Sequence, residues 1–168
     1  MVTLREKYPL ESRKPLKKTV AKVWGFIPIF LFFILPIFIF LPLDALAVIG
    51  SKTMILVYII SAYILISLSI YVYEVFFMKH YFYDIIGDTI MIKKGVFSRD
   101  EISIPFNRLQ DVHIDQDILD RIFGLYDVHV SSATFTSDWL AHIDGINKEN
   151  SKTIKDLILT RINKHGEQ

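Results

Sequence analysis

The order of apolar and polar positions divides the chain into two long apolar runs followed by a stretch of short alternating segments. Val23–Leu43 carries no charge, and Met54–Phe77 carries only Glu74. A hydrocarbon core of ~30 Å, crossed at ~1.5 Å per helical residue, asks for ~20 apolar residues. The first run supplies 21, of which sixteen are Leu, Ile, Phe or Val. Such a run favours insertion by about 5–10 kcal/mol before its prolines are counted. The pattern predicts a membrane α-helical hairpin of two transmembrane helices, 23–43 and 54–78, joined by a loop over 44–53.

Beyond residue 78 the period changes from helical to strand-like. His80–Ile85, Thr89–Lys94 and Phe97–Phe106 are rich in β-branched and aromatic residues and are separated by the turn signals Gly87-Asp88 and Gly95. In the third segment Ile102, Ile104 and Phe106 alternate with Glu101, Ser103 and Pro105, the period expected of a strand with one buried face. A fourth strand is predicted over Leu109–Ile114, with Val112 and Ile114 inward and Asp111 and His113 outward. Asp117–Phe123 breaks the alternation and predicts a short amphipathic helix through Ile118, Leu119, Ile122 and Phe123, ended by Gly124 in the left-handed conformation. Strands are predicted again at Tyr126–Ala133 and Trp139–Ile143. The last element is a helix over Ser151–Lys164, whose Ile154, Leu157, Ile158 and Ile162 form one stripe suited to close the open end of a curved sheet. Residues 79–168 thus read as one small α+β soluble domain.

Charge orients this arrangement. The tail 1–22 holds seven Lys and Arg against Glu6 and Glu11, whereas the loop 44–53 holds only Asp44 and Lys52. Basic residues beside a span stay in the cytoplasm, so both termini are expected there, in a multi-pass protein of the cell (plasma) membrane. Trp24, Tyr71, Tyr73, Phe76 and Phe77 fit an aromatic belt at the inner interface. A cleaved signal ending at Ala45-Leu46-Ala47 is disfavoured, because its apolar region would be too long. Pro28, Pro36 and Pro42 read as kinks, Glu74 as a snorkelling interfacial group, and Ser61, Leu65 and Ser69 as a helix-packing stripe.

Candidate chemistry is sparse. There is no cysteine. Asp115, Asp117 and Asp120 lack the glycine and glutamate of a calcium loop. His113, His129 and His142 fall on separate strands, and Ser131, Ser132 or Ser137 with His142 and Asp138 has no nucleophile-elbow context. No catalytic residue, metal, cofactor or small-molecule substrate is expected. Residues 79–168 carry 11 basic and 14 acidic side chains, so nucleic acid is disfavoured as a partner. Lys93, Lys94 and Arg99 flank the Gly95 turn and, with Lys79, are the candidate lipid head-group contacts.

Tyr83-Asp84, Lys93-Lys94-Gly95-Val96, Ile104-Pro105, Arg108-Leu109-Gln110-Asp111-Val112, Gln116, Leu119, Arg121-Ile122-Phe123-Gly124-Leu125, Val128 and Ser131-Ser132-Ala133 follow one another in a particular order and spacing. In these residues the chain resembles the bacterial pleckstrin-homology-like (PH-like) domains of the YdbS type, over roughly 24–163; Thr134 stands where that family usually has glycine. The resemblance implies a half-open antiparallel β-barrel capped by a C-terminal helix, with no known catalytic activity and no specified ligand. Pro105, Arg108, Gln110, Gln116, Arg121 and Gly124 read as its structural motif. Arg108 and Arg121 are expected to pair with Asp111, Asp115, Asp117 or Asp120, and Gln110 and Gln116 to satisfy backbone groups where the ladder breaks. The function expected is a noncatalytic, membrane-anchored PH-like interaction module, a scaffold or accessory subunit docking a protein partner or a second copy. The alternative is an anionic-lipid-sensing or lipid-handling envelope protein that uses Lys93, Lys94 and Arg99.

Overall fold

A computed structural model of the chain describes residues 2–29, 32, 35–40, 52–132 and 141–166. Pro42, Asp44–Ser51, Ala133-Thr134, Ser137, Asp138 and Trp139 lie outside the described residues. The helices are α1 (Leu4–Lys7), α2 (Lys14–Trp24), two short pieces α3 (Ile27–Ile29) and α4 (Leu35–Phe40), α5 (Lys52–His80), α6 (Ile118–Phe123) and α7 (Lys148–Gly166). The strands are β1 (Phe82–Ile86), β2 (Thr89–Lys94), β3 (Asp100–Pro105), β4 (Leu109–Asp115), β5 (Tyr126–Ser132) and β6 (His142–Ile146). Contacts group them into two units, Lys18–Glu74 and a second unit in which Met1–Lys17 joins Val75–Gln168.

Within Lys18–Glu74 the main element is α5, which contains the one described helix long and apolar enough to cross a membrane, Met54–His80. Its 27 residues would extend about 40 Å. None of its most apolar window is buried, and Ile60, Ile64, Leu65 and Leu68 are all exposed. A helix that is apolar on every side and buries none of it is soluble only in lipid or against another apolar surface. Ser61 and Ser69 donate to Tyr58 O and Leu65 O of their own helix, which satisfies their hydroxyls without a partner helix. Glu74 departs from the expected exposed, snorkelling group: it is 5% exposed and accepts from Lys22 Nζ at 2.5 Å, with that ammonium 5.4 Å from the Tyr73 ring centroid.

The second unit is built on two three-stranded antiparallel sheets, β1-β2-β3 and β4-β5-β6. In the first, Tyr83 faces Ile92 and Ile92 faces Ile102, while Ile85, Ile90 and Ile104 form a second row. In the other, Val112 faces Val130, and Ile114, Val128 and Ile143 form a row. Tyr83, Ile90, Ile92, Val128, Val130 and Ile143 are at most 1% exposed. On α7, Ile154 and Ile158 reach zero exposure, and Leu157 and Ile162 pack beside them, as the stripe predicts. Each of the two isoleucines contributes about 1.5–3 kcal/mol by leaving water.

Several expectations need correction. The half-open barrel expected takes the form of two separate sheets: among the described residues β3 and β4 do not pair, and between them the chain turns at Pro105, which has no N–H to donate, through a 3-10 helix, Phe106–Arg108. The predicted first strand loses His80 to α5, and β3 starts at Asp100 because the chain bends over 96–98. The last strand runs past Ile143 to Ile146. The C-terminal helix begins at Lys148, where Asn147 Oδ1 accepts from Asn150 N at 2.8 Å as its cap. At the start of α6 Asp117 and Asp120 close a capping box, and at its end the left-handed Gly124, at φ 67°, matches expectation. The predicted apolar face of α6 does not: Ile118 and Ile122 are 78% and 70% exposed, and the buried side chain is Asp120.

Candidate functional site: the helix-exit cavity and the N-terminal strap

Two arrangements of polar groups stand out, both within the unit formed by Met1–Lys17 and Val75–Gln168. The first surrounds the end of α5. His80, the last residue of that helix, lines a cavity of about 270 Å³ together with Phe82, Lys93, Lys94, Gly95, Arg99, Asp100 and Glu101. The cavity forms where β2 turns into β3. Gly95 holds φ 114°, and a Cβ there would fall 1.8 Å from Ser98 O, so only glycine lets the chain fold back this tightly. The turn presents Phe97 at 90% exposure. Lys93 is already engaged, with its ammonium 3.0 Å from Glu101. Arg99 and Asp100 make no ion pair or hydrogen bond through their side chains with another described residue.

Of the four basic residues singled out from the sequence, this geometry gathers Lys93, Lys94 and Arg99. Lys79 does not line the cavity, and its ammonium lies 5.9 Å from the Phe76 ring centroid. His80, Asp100 and Glu101 complete the cavity and carried no sequence signal, since a single histidine at a helix end and two acids at a strand start are ordinary surface residues.

The second arrangement is a strap formed by residues 3–17. Thr3 and Glu6 close a capping box on α1, and Leu4 enters the core at 8% exposure while its N–H donates to Asp84 Oδ1 at 2.9 Å. Arg5 donates to Met78 O at 2.9 Å and Lys79 O at 3.0 Å, so its guanidinium satisfies carbonyls that the end of α5 leaves open. The Tyr83 hydroxyl donates to Tyr8 O, Glu11 N donates to Gly145 O at 2.9 Å, and Asn147 donates to Glu11 Oε1 at 3.1 Å. The strap ends on two lysines, each 2% exposed. Lys14 donates to Asp144 O at 2.9 Å, with its ammonium 4.1 Å from the Tyr81 ring centroid. Lys17 lies 2.5 Å from Asp120, 3.1 Å from Asp117 and 4.0 Å from Asp127.

This cluster is strongly charged and largely dry. Burial alone would push the Lys17 ammonium down, but its bond to Asp120 and the fields of Asp127 and Asp144 carry it above its ordinary value. Burial and the neighbouring Asp144 push Asp127 up to about 7, against the opposing bond from Gly145 N–H. Tyr81, with its hydroxyl donating to His142 O, is raised well above the ordinary phenol by burial and then by Asp144 and Asp127. Sequence reading assigned Lys14 and Lys17 to a basic tail; the fold spends them on the domain's acidic surplus.

The motif residues take unequal roles. Gln116 Nε2 donates to Leu125 O at 3.1 Å, as expected, and Gln110 sits at the bulge between Leu109 and Asp111. Arg108 and Arg121 form no ion pair with any described residue; Lys17 takes the carboxylates of Asp117 and Asp120 instead. Asp111 and Asp115 accept from the backbone N–H of Val112 and Gln116. His113, His129 and His142, expected apart on three strands, stack across β4, β5 and β6 at centroid distances of 5.0 and 5.4 Å. Nearly parallel rings do not aim their nitrogens at one point, which is what a metal triad requires. Neither a curated protein nor a solved structure matches the chain. The bacterial PH domain matches residues 29–162, four-fifths of its length. The chain belongs to the bacterial PH domain family.

Proposed function

We propose that the protein is a noncatalytic interaction module held at the cytoplasmic face of the cell membrane by a two-helix hairpin, serving as a scaffold or accessory subunit that docks a protein partner or another copy of itself. The observation that carries this reading is the composition of the folded unit. Residues 3–17 and 75–166 pack together, and all but the last turns of the apolar helix Met54–His80 lie between them in the chain. If that helix crosses a bilayer once, the chain between Lys18 and Thr53 crosses it once more, because both ends of the excursion return to one unit. Val23–Leu43 is the run suited to that crossing. The Lys22–Glu74 pair supports the same antiparallel arrangement, since it joins the start of the first run to the end of the second. On this reading the basic cytoplasmic segment is 1–22, the spans are 23–43 and 54–78, the extracytoplasmic loop is 44–53, and the cytoplasmic PH-like domain continues over 79–168.

Absence of cysteine makes this directly measurable. Single substitutions Ser12→Cys, Ser51→Cys and Asn163→Cys are labelled with an impermeant maleimide in intact cells and in inverted vesicles. The expected pattern is Ser51→Cys labelled from outside and the other two only in inverted vesicles. Labelling of positions 12 and 163 from opposite sides removes the hairpin. Crosslinking in native membranes, read by mass spectrometry, is expected to recover one reproducible partner or a homo-oligomer; a strictly monomeric protein counts against the scaffold role.

A further inference from the structure

The face that α6 turns to solvent is its apolar one. Ile118 and Ile122 stand one turn apart at 78% and 70% exposure, while Leu119 and Phe123 are half-buried. At ~100° per residue, Asp120 lies ~200° around the helix from each isoleucine, so burying Asp120 turns both of them outward. Lys17, 2.5 Å away, is what holds Asp120 inside. A single exposed isoleucine is ordinary, but an adjacent pair whose burial the helix forgoes by its own rotation marks a contact surface.

The charges beside this pair select its partner. The Asp117 side chain is 56% exposed at the start of α6, and Arg121 is exposed in its last turn. A helix that lies on an anionic bilayer carries a cationic flank, whereas here the exposed acids Asp115 and Asp117 outnumber the one cation of α6. An acid at one end and a cation at the other is complementary to itself. When a second α6 lies antiparallel across the first, Ile118 meets Ile122 of the second copy, Arg121 comes beside Asp117 of the second copy, and the two helix dipoles oppose each other.

We infer that two copies of the chain dock through this face, α6 against α6, antiparallel about a two-fold axis. The inference rests on the proposed docking role and names its surface. Two isoleucines per copy cover far less than the ~800 Å² that each side of a free-standing interface buries, so the contact draws on the raised effective concentration of copies confined to one membrane plane.

The test uses the full-length chain, which has no cysteine of its own, in native membranes. Two differently tagged copies, Ile118→Cys and Ile122→Cys, are co-expressed and oxidised with copper phenanthroline. The mixed 118–122 disulfide is expected to form about tenfold faster than either 118–118 or 122–122, because antiparallel packing offsets like positions by about 6 Å along the axis. Arg121→Asp in both copies is expected to slow the mixed disulfide about fivefold, the scale of an exposed ion pair. Like-position disulfides as fast as the mixed one, no disulfide at all, or a rate indifferent to Arg121→Asp overturns the inference. So does quenching of a bimane on Ile118→Cys by doxyl-labelled lipid, which assigns the face to the bilayer. The double variant Ile118→Ser with Ile122→Ser is expected to keep the parent melting temperature in detergent and to lose the lysine-crosslinked dimer in membranes; a dimer fraction equal to the parent's overturns the inference. Lysine-reactive crosslinking of the parent reports separately on the docking role. A homo-oligomer or a reproducible partner recovered without the 118–122 disulfide refutes this face and leaves that role standing, whereas a monomer by both methods refutes the two together.

Discussion

Lys17 Nζ sits 2.5 Å from Asp120 Oδ1, and the two side chains are 3% and 1% exposed. A buried pair of this kind adds little over an apolar pair of equal volume, yet losing one partner strands the other charge in a dry site. Lys17→Ala is therefore expected to destabilise the domain by about 3–5 kcal/mol, and the double variant Lys17→Met with Asp120→Asn to recover most of that loss. Thermal unfolding followed by circular dichroism in mild detergent checks both; a double variant no better than the single one refutes the pairwise account.

Asp127 makes the same cluster sensitive to pH. Its folded carboxyl is raised to about 7 by burial and Asp144, against 3.8 for the ordinary group, so the folded state holds a proton that the unfolded state has released. The sign follows: this residue's contribution to stability falls as pH rises from about 4 to 7 and is flat above. Asp127→Asn keeps an acceptor for Gly145 N–H and removes the titration. The gain from this substitution is expected to be greater at pH 8 than at pH 5 by on the order of 1–2 kcal/mol. A gain independent of pH places the shifted proton elsewhere.

Arg5 spans from the strap to the carbonyls of Met78 and Lys79 at 2.9 and 3.0 Å. Arg5→Ala is expected to cost about 1–3 kcal/mol and to raise amide hydrogen exchange over residues 76–82 more than in β5. Uniform acceleration across the domain means that Arg5 acts on global stability and not on the helix end.

Gly145 holds φ 81°, and a Cβ built there would lie 2.7–2.9 Å from Cβ, Cγ and Cδ of Lys14. Gly145→Ala thus combines backbone strain with eviction of Lys14 from its seat on Asp144. It is expected to cost at least about 2 kcal/mol, well above the ~1 kcal/mol of an uncrowded left-handed site. A melting temperature within a degree of the parent shows that Lys14 moves aside freely.

The elements were legible where one physical signal dominated. The strands from Thr89 to Ser132 follow alternation with a buried face, and α7 follows its isoleucine stripe, because burial against a single core imposes those periods. Phe97 and Arg99 read as strand but precede β3, with Phe97 in the bend itself, since β-propensity does not register the reversal that Gly95 enforces. The strap was illegible for a different reason. Leu4, Tyr8 and Leu10 are spaced by charges, and Lys14 and Lys17 look like the positive flank of a span. The one available hint was the acidic excess of residues 79–168, whose counter-ions lie some hundred positions earlier in the chain, beyond the reach of any local pattern. The cavity was half visible through its cations, while its carboxylates appeared only once β2 and β3 were brought face to face.

Because Leu4, Lys14 and Lys17 are structural members of a unit otherwise made by residues 75–166, the domain is split in the gene by everything from Lys18 to Glu74. A ribosome releases the strap first and the strands last, so the early segment waits, its seat not yet made, until the final helix has left the exit tunnel. Trimming the protein to its evident soluble part at residue 79 discards three of the parts on which that part closes. Any excised version for crystallisation or binding work must graft the first seventeen residues back on.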